Sequence, residues 1–464
     1  MTPAIVRSFR RFGTLKRIYN PKNVNRLLTI FCAILITLSG QTWARSISLI
    51  RDTEIENTIR VYSLPLFKAA GLEASNIQIH IVNDPALNAF VAGGQRLFIN
   101  TGLLMRAEHA GQVIGVIAHE TGHISGGHLV RLQESLSNST AKSILALVLG
   151  GIAAVATGKS EAAGAVVAGS AALQQRSVLS YTRTMEQSAD QAAVVYLDEA
   201  GYSGRGLLQF LNTLSGQELL SGEHQDPYLR SHPLTRDRIK FMRNHVLQSP
   251  HSETPLREDL VQAHDRMRAK LKGFINPPAR TLREYKHDDR SFAARYARAV
   301  AYKKEFKIDE ALALLDGLLA EFPNDPFLHE LKGDVLQDAG RVAESIPPYQ
   351  KAASMLPWAA LIRVSLAQSQ LELNDHRATG AALENLQQAV RYEPEMPLVW
   401  RLLATAHARN DNQAYVMLSL AEEALLKGKK PEARHRAKQA MKLLPEGSAS
   451  WIRAQDIQET AKKK

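Results

Sequence analysis

Apolar and polar positions alternate in two runs, "SNIQIHIVND" (75–84) and "AFVAGGQRLFINTGLL" (89–104), with the period of half-buried strands. Gly93-Gly94 interrupts the second run, so the pattern predicts a β-hairpin or two strands of a small sheet. From Gly111 the period lengthens: Val113, Val116, Ile117 and Ile124 recur at helical spacing and predict one continuous helix from Gly111 to about Arg131. A glycine- and alanine-rich block, 143–173, follows as two apolar helical pieces around "TGKS", each too short to span a bilayer. It reads either as a buried helical hairpin or as a mobile, membrane-touching lid. The polar, aperiodic stretch "NPPARTLREYKHDDRS" (276–291) predicts a linker. Beyond it only helical patterns return, ended by Pro323, Pro357, Pro394 and Pro445, the first three 34 and 37 residues apart.

That period resembles tetratricopeptide repeats, helix pairs that bury their apolar faces only by stacking. The resemblance spans about 292–445 and is degenerate, and Pro347-Pro348 should interrupt one of the helices. The predicted fold is mainly α: an α+β domain with a small sheet over 45–275, the linker 276–291, and a helical solenoid over 292–464.

Composition changes this picture at the N-terminus. The formal net charge is +11, yet residues 1–44 carry +7 of it with no acid, leaving +4 on the other 420 residues. No dense basic stripe with interleaved aromatics appears there, so a nucleic-acid partner is not indicated. The basic start, the apolar run Leu27–Leu38 and the small residues before Arg45 read as a cleaved secretory signal with the cut after Ala44. A retained inner-membrane anchor is the other reading. The single cysteine, Cys32, lies inside the run, so a cleaved chain has no thiol and suits an oxidising compartment such as the periplasm.

Candidate chemistry sits in "IAHETGHISGGHLV" (117–130). His119 and His123 are one helical turn apart and face the same way, and Glu120 lies beside them. "HETGH" is thus HExxH, two metal-binding histidines with a glutamate placed as general base toward the attacking water. Zinc needs a third protein ligand. His128 is excluded on a continuous helix, where it sits about 180° around the axis from His119, and is expected to make a structural hydrogen bond instead. In "YTRTMEQSADQAA" (181–193) Glu186 and Asp190 repel one another at helical spacing, so a positive group should lie against them: Arg183, or a zinc ion on Glu186 with Asp190 accepting from a ligand imidazole.

HExxH followed by this ExxxD resembles the gluzincin metallopeptidases of the HtpX and CAAX prenyl protease family. The signal sequence and repeats resemble its periplasmic members most. The resemblance implies a zinc endopeptidase with ligands His119, His123 and Glu186, base Glu120 and supporting carboxylate Asp190. It also implies a role for "SHPLTRDRI" (231–239), in which His232 takes the open metal position as a latch or stabilises the oxyanion, and Arg238 orients the acidic residues. Pro233 is expected as the first residue of the following helix. Substrate would lie along the strand ending "RLFIN" (96–100) and add main-chain hydrogen bonds to an exposed edge. The implied substrates are unfolded or stalled outer-membrane polypeptides, with chaperone-like activity alongside. The repeats would dock clients or assembly machinery, with peripheral membrane contact. The alternative is a non-proteolytic repeat scaffold with a latent site.

Overall fold

In the computed structural model, which describes residues 48–135, 170–220, 228 and 231–462, the alternating runs supply three strands of a four-stranded mixed sheet. Its strands are β1 (Leu49–Ile50), β2 (Gln78–Val82), β3 (Ala89–Ala92) and β4 (Arg96–Asn100), in the order β1-β2-β4-β3. The 89–104 run makes the hairpin: β3 and β4 pair antiparallel across Gly93 and Gly94, whose φ values of +57° and +94° suit glycine. The 75–84 run contributes β2, parallel to β4.

This order corrects one expectation. β4, the "RLFIN" strand, is paired on both sides and has no edge to offer. The long free edge is β3. The backbone NH of Asn100 donates to the carbonyl of Asn88 at 2.9 Å, so by alternation Ala89 and Val91 turn their main-chain groups away from β4.

Helix α1 (Thr53–Ala69), capped by Asp52 on the NH of Ile55, buries Ile55, Ile59, Tyr62 and Leu66. They share a core with Leu97 and Ile99 of β4 and with Val113, Val116 and Ile117. After α2 (Thr101–Arg106) those last three lie on α3 (Ala110–Ser125), which is buried nearly all round. The helix expected to run to Arg131 ends at Ser125. Gly126 and Gly127 break it, with Gly127 at φ +59°, and α4 (His128–Ser135) starts afresh. Then come α5 (Ser170–Glu199), α6 (Arg205–Leu220), α7 (Arg236–Gln248) and α8 (Glu258–Ile275). The N-cap of α7 is Thr235, so Pro233 precedes the helix rather than opening it.

The stretch read as a linker holds a short helix, α9 (Pro278–Glu284). Ten helices follow as successive pairs: α10 (Phe292–Lys304) and α11 (Ile308–Glu321), α12 (Pro326–Asp338) and α13 (Val342–Met355), α14 (Ala360–Glu372) and α15 (His376–Tyr392), α16 (Pro397–Arg409) and α17 (Gln413–Leu426), α18 (Lys430–Leu443) and α19 (Ala449–Thr460). Pro347 and Pro348 do not interrupt α13, which runs through both. Burial of Tyr349, Ala352 and Ala353 against the neighbouring pair holds the helix despite the missing NH groups.

The pairs do not hang from a tether. Ala269 of α8 shares a core with Tyr296, Ala297 and Val300 of α10, and a buried polar network crosses the same junction. Glu54 of α1 accepts from Arg266 Nε at 2.8 Å and from the Tyr296 hydroxyl at 2.6 Å. Lys270 Nζ lies 2.8 Å from Asp52 and 3.3 Å from Glu54, and Arg266 also pairs with Asp325. Residues 1–44, with Cys32 and Ala44, and most of the 143–173 block lie outside the described residues. Among those described, no helix is long and apolar enough to cross a membrane.

Candidate metal centre

Two helices build the site, and a glycine lets them meet. A Cβ on Gly122, inside HETGH, would stand 2.7 Å from the carbonyl oxygen of Ala189, so α3 and α5 approach closely only because position 122 has none. Glu186 and Asp190 on α5 thereby come level with His119 and His123 on α3. His119 Nε2 lies 3.1 Å from His123 Nε2 and 3.2 Å from Glu186, which is also 3.2 Å from His123 Nε2. His232 closes the group, its Nδ1 3.1 Å from Glu186 and 3.4 Å from His119 Nε2. One donor atom from each of the four lies within 4.8 Å of the others.

These separations fit a cation. Donors held about 2 Å from a common centre in a tetrahedron stand about 3.3 Å apart. Both Glu120 oxygens are buried without a hydrogen-bond partner beside the cluster, His232 Nε2 being 3.5 Å from one of them. Such a carboxylate needs a bound polar molecule to satisfy it.

Charge is balanced from behind. Arg238, buried on α7, sends Nε and Nη2 to Asp190 at 2.6 and 2.9 Å and Nη1 to Glu186 at 2.8 Å. The same Nη1 donates to the carbonyl of Pro233 at 3.2 Å, which ties the His232 segment to the acidic residues. The positive group sought for Glu186 and Asp190 is thus Arg238, not Arg183, which is exposed to solvent. Asp190 lies 2.9 Å from His119 Nδ1 and fixes that ring.

Proton affinities follow from these contacts. Burial alone would raise both carboxyls, but His232 and Arg238 hold Glu186 well below the usual range, and Arg238 with His119 lowers Asp190. Burial raises Glu120, the charge of Glu186 adds to it, and His232, His119 and Arg238 oppose it without a hydrogen bond to the carboxylate. Burial works against charge on His119 too, yet its bonds to Asp190 and Glu186 lift it to about 9, whereas burial pushes His123 down to about 3.

His128 lies outside the donor group and makes a hydrogen bond, but not for the reason the sequence suggested. Exclusion by a continuous helix fails because the helix breaks, and the ring returns to place its Nδ1 3.1 Å from His123 Nδ1. It stays outside the four-donor cluster. The dipeptide Gly126-Gly127 was the signal for this. A second missed residue is Tyr228, whose buried ring stacks on His232 at 4.5 Å. No spacing rule joins the two.

A histidine pair and carboxylate around one donor cluster, with a free carboxylate alongside, define a metallopeptidase. Residues 49–246 match the model of peptidase family M48, and the chain carries an M48 metallopeptidase domain there. Over 398 residues it is 26% identical to the beta-barrel assembly-enhancing protease of Yersinia pestis and 25% identical to that of Escherichia coli K12, in each case 84% of this chain and 79% of the relative. A mitochondrial metalloendopeptidase of Arabidopsis thaliana is 27% identical over 206 residues, 44% of this chain and 39% of the relative.

Proposed function

We propose that the chain is a zinc endopeptidase of the periplasm that cleaves unfolded or stalled outer-membrane polypeptides, with the helix pairs, read as tetratricopeptide repeats, docking clients or the assembly machinery. The observation that carries the reading is the convergence of His119, His123 and Glu186 beside Glu120, whose two oxygens have no hydrogen-bond partner. His119, His123 and Glu186 would hold the metal. When bound, zinc would polarise the scissile carbonyl and make water acidic enough to ionise near neutral pH. Glu120 takes a proton from the attacking water and passes it to the leaving nitrogen. A client strand adds to β3, where Ala89 and Val91 offer main-chain groups and side-chain selectivity is low. Placement in the envelope and the choice of β-barrel clients are supported by the names of the relatives and by the leader-like residues 1–44.

His232, seated among the donors, supports a latent resting state in which binding by the helix pairs outlasts proteolysis. Glu120→Gln separates the readings. It should retain stoichiometric metal and lose cleavage of a denatured polypeptide by ~10²–10⁴-fold. A variant that still cleaves in a chelator-sensitive manner refutes Glu120 as the base. One that fully rescues a deletion strain favours the scaffold.

A further inference from the structure

Both nitrogens of His123 are engaged. Nε2 faces Glu186 and His119 in the donor cluster, and Nδ1 meets His128 Nδ1 at 3.1 Å with the rings nearly perpendicular, at 82°. The other histidine of HETGH has Asp190 in the corresponding place.

The chain reaches this contact through two glycines. Gly127 takes φ +59°, a left-handed conformation costly for other residues, and turns the backbone so that α4 begins at His128. Gly126 then leaves the space the ring needs, because a Cβ there would fall 2.5 Å from His128 Nε2. His128 is itself buried. A surface histidine needs neither glycine, and both lie in the three residues before this one.

We propose that His128 is a positioning residue for the metal: in its neutral form it accepts a hydrogen bond from His123 Nδ1–H, fixing the tautomer that aims the His123 Nε2 lone pair into the donor cluster. Metal-bound imidazoles generally donate their other NH in this way, and losing the acceptor weakens binding by ~10–100-fold. Here the acceptor is an uncharged ring where His119 has a carboxylate. The inference rests on His123 being a ligand.

The test uses the full-length chain, with Zn²⁺ competed against a chromophoric chelator. His128→Ala should raise the zinc Kd ~10–100-fold. His128→Asn, whose Oδ1 stands near the Nδ1 position, should recover most of that loss. Gly126→Ala, which keeps the imidazole but fills its space, should weaken binding in the same direction. If His123→Ala binds zinc like wild type, the ligand set is wrong. If His123→Ala loses zinc while His128→Ala stays within about twofold of wild type, the positioning role is wrong. An Asn variant no better than Ala overturns the acceptor role, as does a His128→Ala protein changed only in its metal-free melting temperature.

Discussion

Arg238→Met keeps the aliphatic stem and removes every donor. In wild type the guanidinium makes three contacts of 2.6–2.9 Å with Asp190 and Glu186, and all three side chains are at most 3% exposed. Removing one partner of a buried ion pair costs ~3–5 kcal/mol, because the charge left behind is neither hydrated nor paired. His119 still faces Asp190 and His232 still faces Glu186, so we expect the lower half of that range. At ~1 °C per kcal/mol for a folded unit of more than 400 residues, the metal-free protein should melt ~3–4 °C lower. The loss should shrink with metal, since a cation on Glu186 restores much of the missing charge. The pH dependence should also weaken. Wild-type Glu186 and Asp190 are held below their ordinary values, so their stabilisation is present above about pH 4 and is lost as pH falls through their folded values. In the variant burial loses the opposition of Arg238 and both groups rise, with His119 and His232 still opposing it, so stability should fall less as pH is lowered from about 7 to below 4. Thermal melts of chelated and metal-loaded protein across that range read both effects. A metal-free variant melting within about 2 °C of wild type at pH 7 would refute the argument.

Gly122→Ala places a methyl group 2.7 Å from Ala189 O and 3.2 Å from Ala192 Cβ, so α5 must retreat and carry Glu186 with it. Overpacking of ~1–3 kcal/mol and a fall in kcat/KM of ~10²-fold are expected, and wild-type kinetics would show that this helix spacing does not set the site. His232→Ala should raise cleavage of a denatured polypeptide while lowering metal affinity; a slower variant would replace the latch by a role on the substrate. Glu330, pushed up to about 8 by burial despite Lys270, contributes stability that is present below about pH 4.5 and lost as pH rises through 8. Glu330→Gln, able to keep the 2.8 Å bond from the Thr53 hydroxyl, should flatten the fall in melting temperature between about pH 5 and 8. An unchanged slope would assign that titration elsewhere, Asp334 being the next raised group.

Local spacing carried much of this site. Residues four apart on a helix must face together, so His119 with His123 and Glu186 with Asp190 could be paired on the sequence, and the like charges announced a missing cation. Spacing did not identify that cation, because Arg238 stands 48 residues from Asp190 on a helix whose docking no periodicity encodes; only the family resemblance pointed to it. The free edge was misassigned for a related reason. Alternation identifies a strand but not its neighbours, and β4 looks the same whether one side is open or both are paired. His128 was misplaced by extending helical geometry through two glycines, where a left-handed residue resets the direction of the chain. Proline marked the helix ends at Pro323, Pro357, Pro394 and Pro445, while inside α13 packing overrode it.

The junction at Glu54, Arg266 and Lys270 bears on how the chain can be cut. Severing it near residue 276 would strip Glu54 of the Tyr296 hydroxyl and Arg266 of Asp325, and leave the Ala269 face of α8 bare. The metallopeptidase part and the helix pairs share a core and a buried polar network, and a fragment ending at the polar stretch should expose both.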